Sequence, residues 1–172
     1  CAGQSDNLQA SGLPDALPMR TELDTRIIID GAIDEPTWQD IKAFSGFKVI
    51  SPDTLADAPL ETNIKMFYTE RGLYFSASMT QPPETLIERL SARDQFVNRD
   101  RISLSVDTSG TGLYAYWFAV NLGGSLMDGT ILPERQYSSN WDGPWRGASQ
   151  RTETGWSVEM MLPWSMMTLP TS

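Results

Sequence analysis

Hydrophobic and polar positions alternate with a period of two along much of this chain, the pattern of half-buried strands. From Thr62 to Thr69, Ile64, Met66 and Tyr68 share one face, while Lys65, Phe67 and Thr69 share the other. Glu70-Arg71-Gly72 turns the chain. Leu73, Phe75, Ala77 and Met79 then alternate with Tyr74, Ser76, Ser78 and Thr80, which predicts a hairpin. Ile102, Leu104 and Val106 alternate with Ser103, Ser105 and Asp107 in a further strand. Tyr114 to Asn121 is the most apolar stretch and is expected to lie centrally. Gly123-Gly124 leads into a short strand, Ser125 to Thr130. Trp145 to Glu153 and Gly155 to Leu162 predict a last hairpin about Thr154-Gly155. There Trp156, Val158, Met160 and Leu162 face one way, and Pro163 stops the strand.

Other stretches break the alternation. Ile27 and Ile29 run into the turn signal Asp30-Gly31. Asp34 is placed to cap a short helix with Pro36 in its first turn, and Trp38 and Ile41 would face inward. Ala43 to Ile50 reads as a strand, and Ser51 to Pro59 as a loop. Gln81 to Asp100 is a long polar excursion. Residues 1–24 are polar, small and punctuated by Pro14 and Pro18, which predicts a flexible tether ahead of a domain spanning 25–172. Seven or eight short strands at this spacing predict an all-β fold. The expected architecture is an antiparallel β-sandwich, jelly-roll or immunoglobulin-like, with one or two short helices.

Composition narrows the chemistry. The chain has 172 residues, 40% of them hydrophobic, which is ample for one sizeable core. Its net charge of −9, from 22 acidic and 13 basic residues, repels phosphate, so nucleic acid is not an expected partner. Histidine is absent, which removes the commonest general base and metal ligand. Cys1 is the sole cysteine, so no disulfide forms within the chain. No two carboxylates fall into a motif for glycoside cleavage, so the reading is of a protein that is not an enzyme.

Ile29-Asp30-Gly31-Ala32-Ile33-Asp34-Glu35-Pro36-Thr37-Trp38 opens the folded part, and Leu73-Tyr74-Phe75 lies in the first hairpin. Asn98-Arg99-Asp100-Arg101 precedes the strand to Asp107. Tyr116-Trp117-Phe118-Ala119-Val120-Asn121 is followed by Gly123-Gly124 and Asp128. The loop Trp141 to Trp145 and the run Gly155-Trp156 to Pro163-Trp164 close the series. In order and spacing these landmarks, over most of residues 26–169, resemble the carbohydrate-binding module family 9-like domains at the N-terminus of bacterial envelope proteins. The resemblance implies a β-sandwich that binds a polysaccharide or oligosaccharide. In the closest relatives such a module precedes a membrane-associated β-barrel-like domain. The family usually adds a further strand after the position of Pro163-Trp164, so the resemblance implies either a fragment or a domain that lacks a final edge strand.

Candidate ligand residues follow. Trp141 and Trp145 sit in a Gly/Pro/Asn/Asp loop, where indole faces stack well on sugar C–H faces; Asn140 and Asp142 would bond hydroxyls. The alternative is that these tryptophans plug the sandwich. Trp117 lies opposite Tyr116 and Phe118 on its strand, so it points outward as a platform or packs under a loop. Arg93 and Arg101 are further hydroxyl or carboxylate partners. Trp38, Trp156 and Trp164 are assigned to the core. Asp100, Asp107 and Asp128 lie near strand ends and would hold Ca²⁺ only if they converged; turn capping and pairing with Arg99 or Arg101 is the alternative. Met160, Met161, Met166 and Met167 are methionine-rich packing. Related sandwiches bind haem through methionine, but here only Lys42, Lys48 and Lys65 would be available as a second ligand. Cys1 reads either as a lipidated residue left by signal-peptide removal or as a boundary of the chain, and the first reading implies an exported, periplasmic or cell-surface protein anchored at the outer membrane. No metal or cofactor is expected. Two functions stay in view: a non-catalytic glycan-binding module, and an interaction domain docking a barrel or partner protein, with haem binding behind both.

Overall fold

The computed structural model describes residues 17–20, 26–88, 92–93 and 100–170. Cys1 and most of the tether lie outside them. Among the described residues the chain forms one short α-helix and ten strands. These are α1 (Pro36–Gln39), β1 (Lys48–Ile50), β2 (Asp53–Asp57), β3 (Thr62–Tyr68), β4 (Gly72–Thr80), β5 (Arg101–Val106), β6 (Ala115–Asn121), β7 (Leu126–Leu132), β8 (Gln136–Ser138), β9 (Arg146–Thr152) and β10 (Gly155–Pro163). Sheet A has the order β3-β4-β10-β9 and sheet B the order β5-β6-β7-β8; every pairing in both is antiparallel. β1 and β2 form a separate two-stranded ribbon.

The two sheets pack face to face. Their inner faces share one apolar core, built from Leu73, Phe75, Ala77, Trp156, Val158, Met160 and Leu162 of sheet A and Phe118 and Val120 of sheet B. Period-two patterning is the cause: each of these side chains falls on the same side of its pleat as its cross-strand partners. The most apolar stretch, β6, is central in sheet B. The fold is therefore the antiparallel β-sandwich that the alternation predicts.

Local expectations fared unevenly. The β3–β4 and β9–β10 hairpins sit where the pattern places them, and β10 ends at Pro163. Ser51 to Pro59 is not all loop, because β2 runs through it and pairs with β1. Of the expected Ala43 to Ile50 strand only Lys48–Ile50 is regular; Phe44 instead makes an isolated bridge to Ile64. Pro36 opens α1 as expected. The cap position, however, is Glu35 rather than Asp34, and its side chain makes no capping bond. Glu35 Oε1 instead accepts from the Ile28 amide at 2.9 Å.

The segment 27–41 does not enter the inter-sheet core. It lies across the outer face of sheet A as a strap. Trp38 and Ile41 bury there against Phe67, Tyr74 and Met161, with Ile27, Ile29 and Ile33 packed around them. Trp38 meets Phe67 edge-on at 5.1 Å between ring centroids, and Phe67 stacks on Tyr74 at 4.8 Å.

Candidate functional site

The sequence-predicted residues separate into two regions of sheet B. Arg101, Ser103 and Ser105 of β5 point away from the core, as do Trp117 and Ala119 of β6, Met127, Gly129 and Ile131 of β7, and Tyr137 of β8. Trp117 and Arg101 are thus brought to one face, toward its opposite ends: Arg101 pairs with Asn121 and Trp117 with Ser105. Trp117 points outward, yet it is only 4% exposed. Its indole lies over Gly129, where a Cβ would come within 2.7 Å of Nε1, and it packs with Ala119 and Met127. As folded it supports the face from beneath and offers no flat surface to a ligand.

Trp141 and Trp145 belong to the loop that carries the chain from β8 of sheet B to β9 of sheet A. Trp145 is buried, edge-on to Phe118 at 5.3 Å. Trp141 is half-buried against Tyr116 and Phe118, and Gly143 leaves the room its ring occupies. Both rings close the side of the sandwich, which is the plugging alternative. A fully buried carboxylate organises the loop. Asp128 accepts from the Gly143 amide at 2.8 Å, from Trp145 Nε1 at 3.0 Å and from the Arg93 guanidinium at 3.0 Å. Arg93 also donates to the Gly143 carbonyl and pairs with exposed Asp142 at 2.5 Å. Asn140 is exposed at the start of this loop, its amide bonded to Ser138 Oγ.

The carboxylates considered for Ca²⁺ serve protein donors instead. Asp107 accepts from the amides of Ser109, Gly110 and Gly112 and from Ser109 Oγ, and the Gly112 and Ser109 bonds hold its carboxyl below the usual carboxylate range. Asp100 accepts from the Ile87 amide and Gln81 Nε2. Among the described residues no group of three acidic or sulfur side chains converges on a metal position. Met160, Met166 and Met167 fill the inter-sheet core, and Met161 lies on the opposite face under the strap, so the four do not gather at one place. Trp156 is buried in the same core; Trp164 packs at its margin and donates to the Thr69 carbonyl.

Pattern reading did not single out the open part of the outer face. A groove of about 420 Å³ lies at the end of sheet B where β6 begins and β7 ends. Ala115 and Ile131 form its floor, Leu113, Tyr114 and Leu132 its apolar walls, and Asp107, Glu134 and Arg135 its polar rim. Tyr114 is 58% exposed and Tyr137, directly across from Ile131, is 66% exposed. Glu134 and Arg135 both adopt left-handed backbone, at φ 63° and 58°, which side chains other than glycine rarely do. Consecutive strained residues of this kind cluster at ligand clamps and other functional sites. The available signal was positional: Tyr114 lies between Gly110-Thr111-Gly112 and the start of β6, and Tyr137 lies two residues after the Pro133-Glu134-Arg135 kink, in the three-residue β8.

No family model matches the chain, and no curated protein matches it. Solved structures do. A family 9 carbohydrate-binding module from Caldicellulosiruptor kristjanssonii in complex with cellotriose superposes with a TM-score of 0.60 over 91% of this chain and 70% of that one, at 12% identity. A proposed carbohydrate-binding protein from Bacteroides uniformis gives 0.60 over 90% and 78%, at 11% identity. A further C. kristjanssonii family 9 module, in complex with glucose, gives 0.56 over 90% and 72%, at 13% identity. At these identities the likeness is one of fold: the chain has the fold of a family 9 carbohydrate-binding module.

Proposed function

We propose that this protein is a non-catalytic carbohydrate-binding module whose site is the groove end of the outer face of sheet B. The observation that carries this reading is the juxtaposition of exposed aromatic surface and polar groups in one concavity. Tyr114 is exposed at the groove wall, Tyr137 borders it, and Glu134 and Arg135 stand on its rim. Aromatic faces take the apolar side of a sugar ring, and carboxylate and guanidinium groups bond its hydroxyls. The volume falls within the roughly 300–1,000 Å³ typical of small-ligand sites. Asn140 and Asp142 are exposed beyond β8 but do not line the groove; Arg101 stands at the far end of the same face and would meet only a longer chain. The likeness to modules crystallised with cellotriose and glucose supports a neutral glucan unit as the ligand. Such a task is performed outside the cytoplasm, so the reading carries with it an exported, envelope-associated protein.

Calorimetric titration with glucose, cello-oligosaccharides and a panel of other neutral glycans tests it. Saturable heat for one class, lost in Tyr114→Ala and Tyr137→Ala variants that remain folded, is the expected result. Affinity unchanged in both variants would sink the site, and no heat from any glycan would sink the function.

An interaction domain is the second reading, favoured by one observation. Among the described residues no strand covers the free edge of β5, whereas the free edge of β3 is covered by Met19 and Phe44. An uncovered edge accepts a strand from another polypeptide. Binding of an extended peptide that protects the β5 amides from exchange, without any glycan response, would select this reading.

A further inference from the structure

The strap over sheet A is held by a single buried acid. Glu159, in the middle of central strand β10, is 0% exposed. Its Oε1 accepts from Trp38 Nε1 at 2.8 Å, and its Oε2 accepts from the amides of Gly31 at 3.0 Å and Asp30 at 3.2 Å. Two residues along, Ser157 Oγ donates to the Gly31 carbonyl at 2.6 Å. Gly31 is required: at φ +93° its backbone passes so close to β9 that a Cβ would sit 2.6 Å from the Ser149 carbonyl carbon. Every one of these bonds joins the strap to the sheet across about 120 residues of chain or more.

The charges around Glu159 do not balance it. Glu35, on the strap, is a second carboxylate whose charge opposes ionisation of Glu159, and its Oε2 is buried with no hydrogen-bond partner. Asp30 contributes its amide to Glu159, while its own carboxylate is spent on the Ala32 amide. From β3, Lys65 Nζ donates to the Trp38 carbonyl at 2.7 Å. Flanking Glu159 in the sheet are Ser76 of β4 and Ala148 of β9, neither of which is charged; Arg146 stands diagonally from it on the same face of β9, opposite Met161 and exposed. Of the aromatic groups on this face, Tyr74 stacks on Phe67.

We propose that the strap is a proton-linked cover: it is seated most firmly when Glu159 carries a proton and is loosened when Glu159 ionises beneath it. An ionised Glu159 places an uncompensated charge in an apolar seam and opposes Glu35 across it. A protonated one removes that charge, keeps acceptor capacity for the same donors and gains one O–H donor. Burial, and secondarily Glu35, pushes the Glu159 carboxyl up to about 7, against three donors that pull the other way. The change therefore ends near neutrality. Loosening exposes Phe67, Tyr74 and Met161, a hydrophobic surface on the opposite side of the molecule from the proposed glycan groove. The cover is thus independent of the glycan reading.

The experiment is hydrogen exchange of the peptides spanning 26–44 from pH 5 to 9, corrected for intrinsic rates, on the whole chain, with Glu159→Gln and Glu35→Gln beside it. In the native protein, strap protection should fall by up to about 300-fold as pH rises from 4.5 to about 7 and level off above that, the span set by a displacement from 4.5 to about 7. Glu35→Gln, at a half-exposed position, should move the levelling-off to lower pH. Glu159→Gln should remove the transition. Strap protection that does not change with pH in the native protein, or a transition that survives in Glu159→Gln, would overturn the proposal.

Discussion

The two outer faces of the sandwich begin from the same problem and end differently. Each is the back of a four-stranded antiparallel sheet, and each carries aromatic residues pointing away from the core. On sheet A a strap from the start of the fold covers those aromatics. On sheet B, Trp117 is buried in the surface, but Tyr114 and Tyr137 remain open beside a groove. The difference teaches that tryptophan content is a poor guide to a binding face. Trp38, Trp117, Trp145 and Trp156 are all 5% exposed or less, while two tyrosines supply the open rings. A long apolar indole is worth most where it is fully desolvated, and a tyrosine tolerates exposure because its hydroxyl stays in water.

The sharpest way to break the comparison is to uncover the sealed face. Trp38→Ala removes a fully buried ring and its bond to Glu159, and should cost about 3–5 kcal/mol in urea unfolding. Glycan affinity measured on the fraction still folded should not change, because the groove lies on the other sheet. Next in size is pH. The folded-state pKa of Glu159 is raised above its ordinary 4.5, so the fold takes up a proton between 4.5 and about 7. Stability is then fully present at the acid end of that window and declines as pH rises through 7. The decline should reach about 3 kcal/mol at most, be visible as a falling thermal midpoint, and be absent in Glu159→Gln. On the open face, Gly129→Ala should cost about 1–3 kcal/mol, since its Cβ would meet the Ser138 carbonyl oxygen at 2.0 Å and crowd the Trp117 indole. It should also weaken glycan binding by dislodging β8 and Tyr137, read by calorimetry. The smallest effect on folding is Tyr114→Ala, within about 0.5 kcal/mol in the same unfolding assay, yet it should weaken glycan binding by about 3- to 10-fold. If instead Tyr114→Ala destabilised the fold and Trp38→Ala abolished binding, the roles assigned to the two faces would have to be exchanged.

Strands whose alternation has one apolar side were legible: β3, β4, β5, β6 and β10 lie within a residue or two of where the pattern puts them. β2 was not, since all five of its residues are exposed and its pairing depends on the ribbon it forms with β1 rather than on burial. The opening motif from Ile29 to Trp38 was legible as a unit and as core, but not as a cover for an outer face. Its destination is set by Glu159, over a hundred positions away, and a buried acid looks like any surface acid in a strand of alternating pattern. The groove escaped for a related reason. Its polar rim depends on left-handed backbone at Glu134 and Arg135, a conformation those residue types do not advertise. Asp142 and Asn140 are exposed as loop residues should be, while their neighbours Trp141 and Trp145 went inward to Asp128 and Phe118.

The strap has one consequence for how the molecule is made. Its partners on sheet A include β9 and β10, which are synthesised more than 100 residues after the strap itself. During translation Trp38 and Ile41 can meet Phe67 and Tyr74 once β3 and β4 have emerged, but the bonds to Ser157 and Glu159 form only after about 120 further residues have been made. The strap is therefore made well before it is fully seated, and closing so long a loop slows folding and leaves an apolar stretch in the nascent chain that a holding chaperone would recognise.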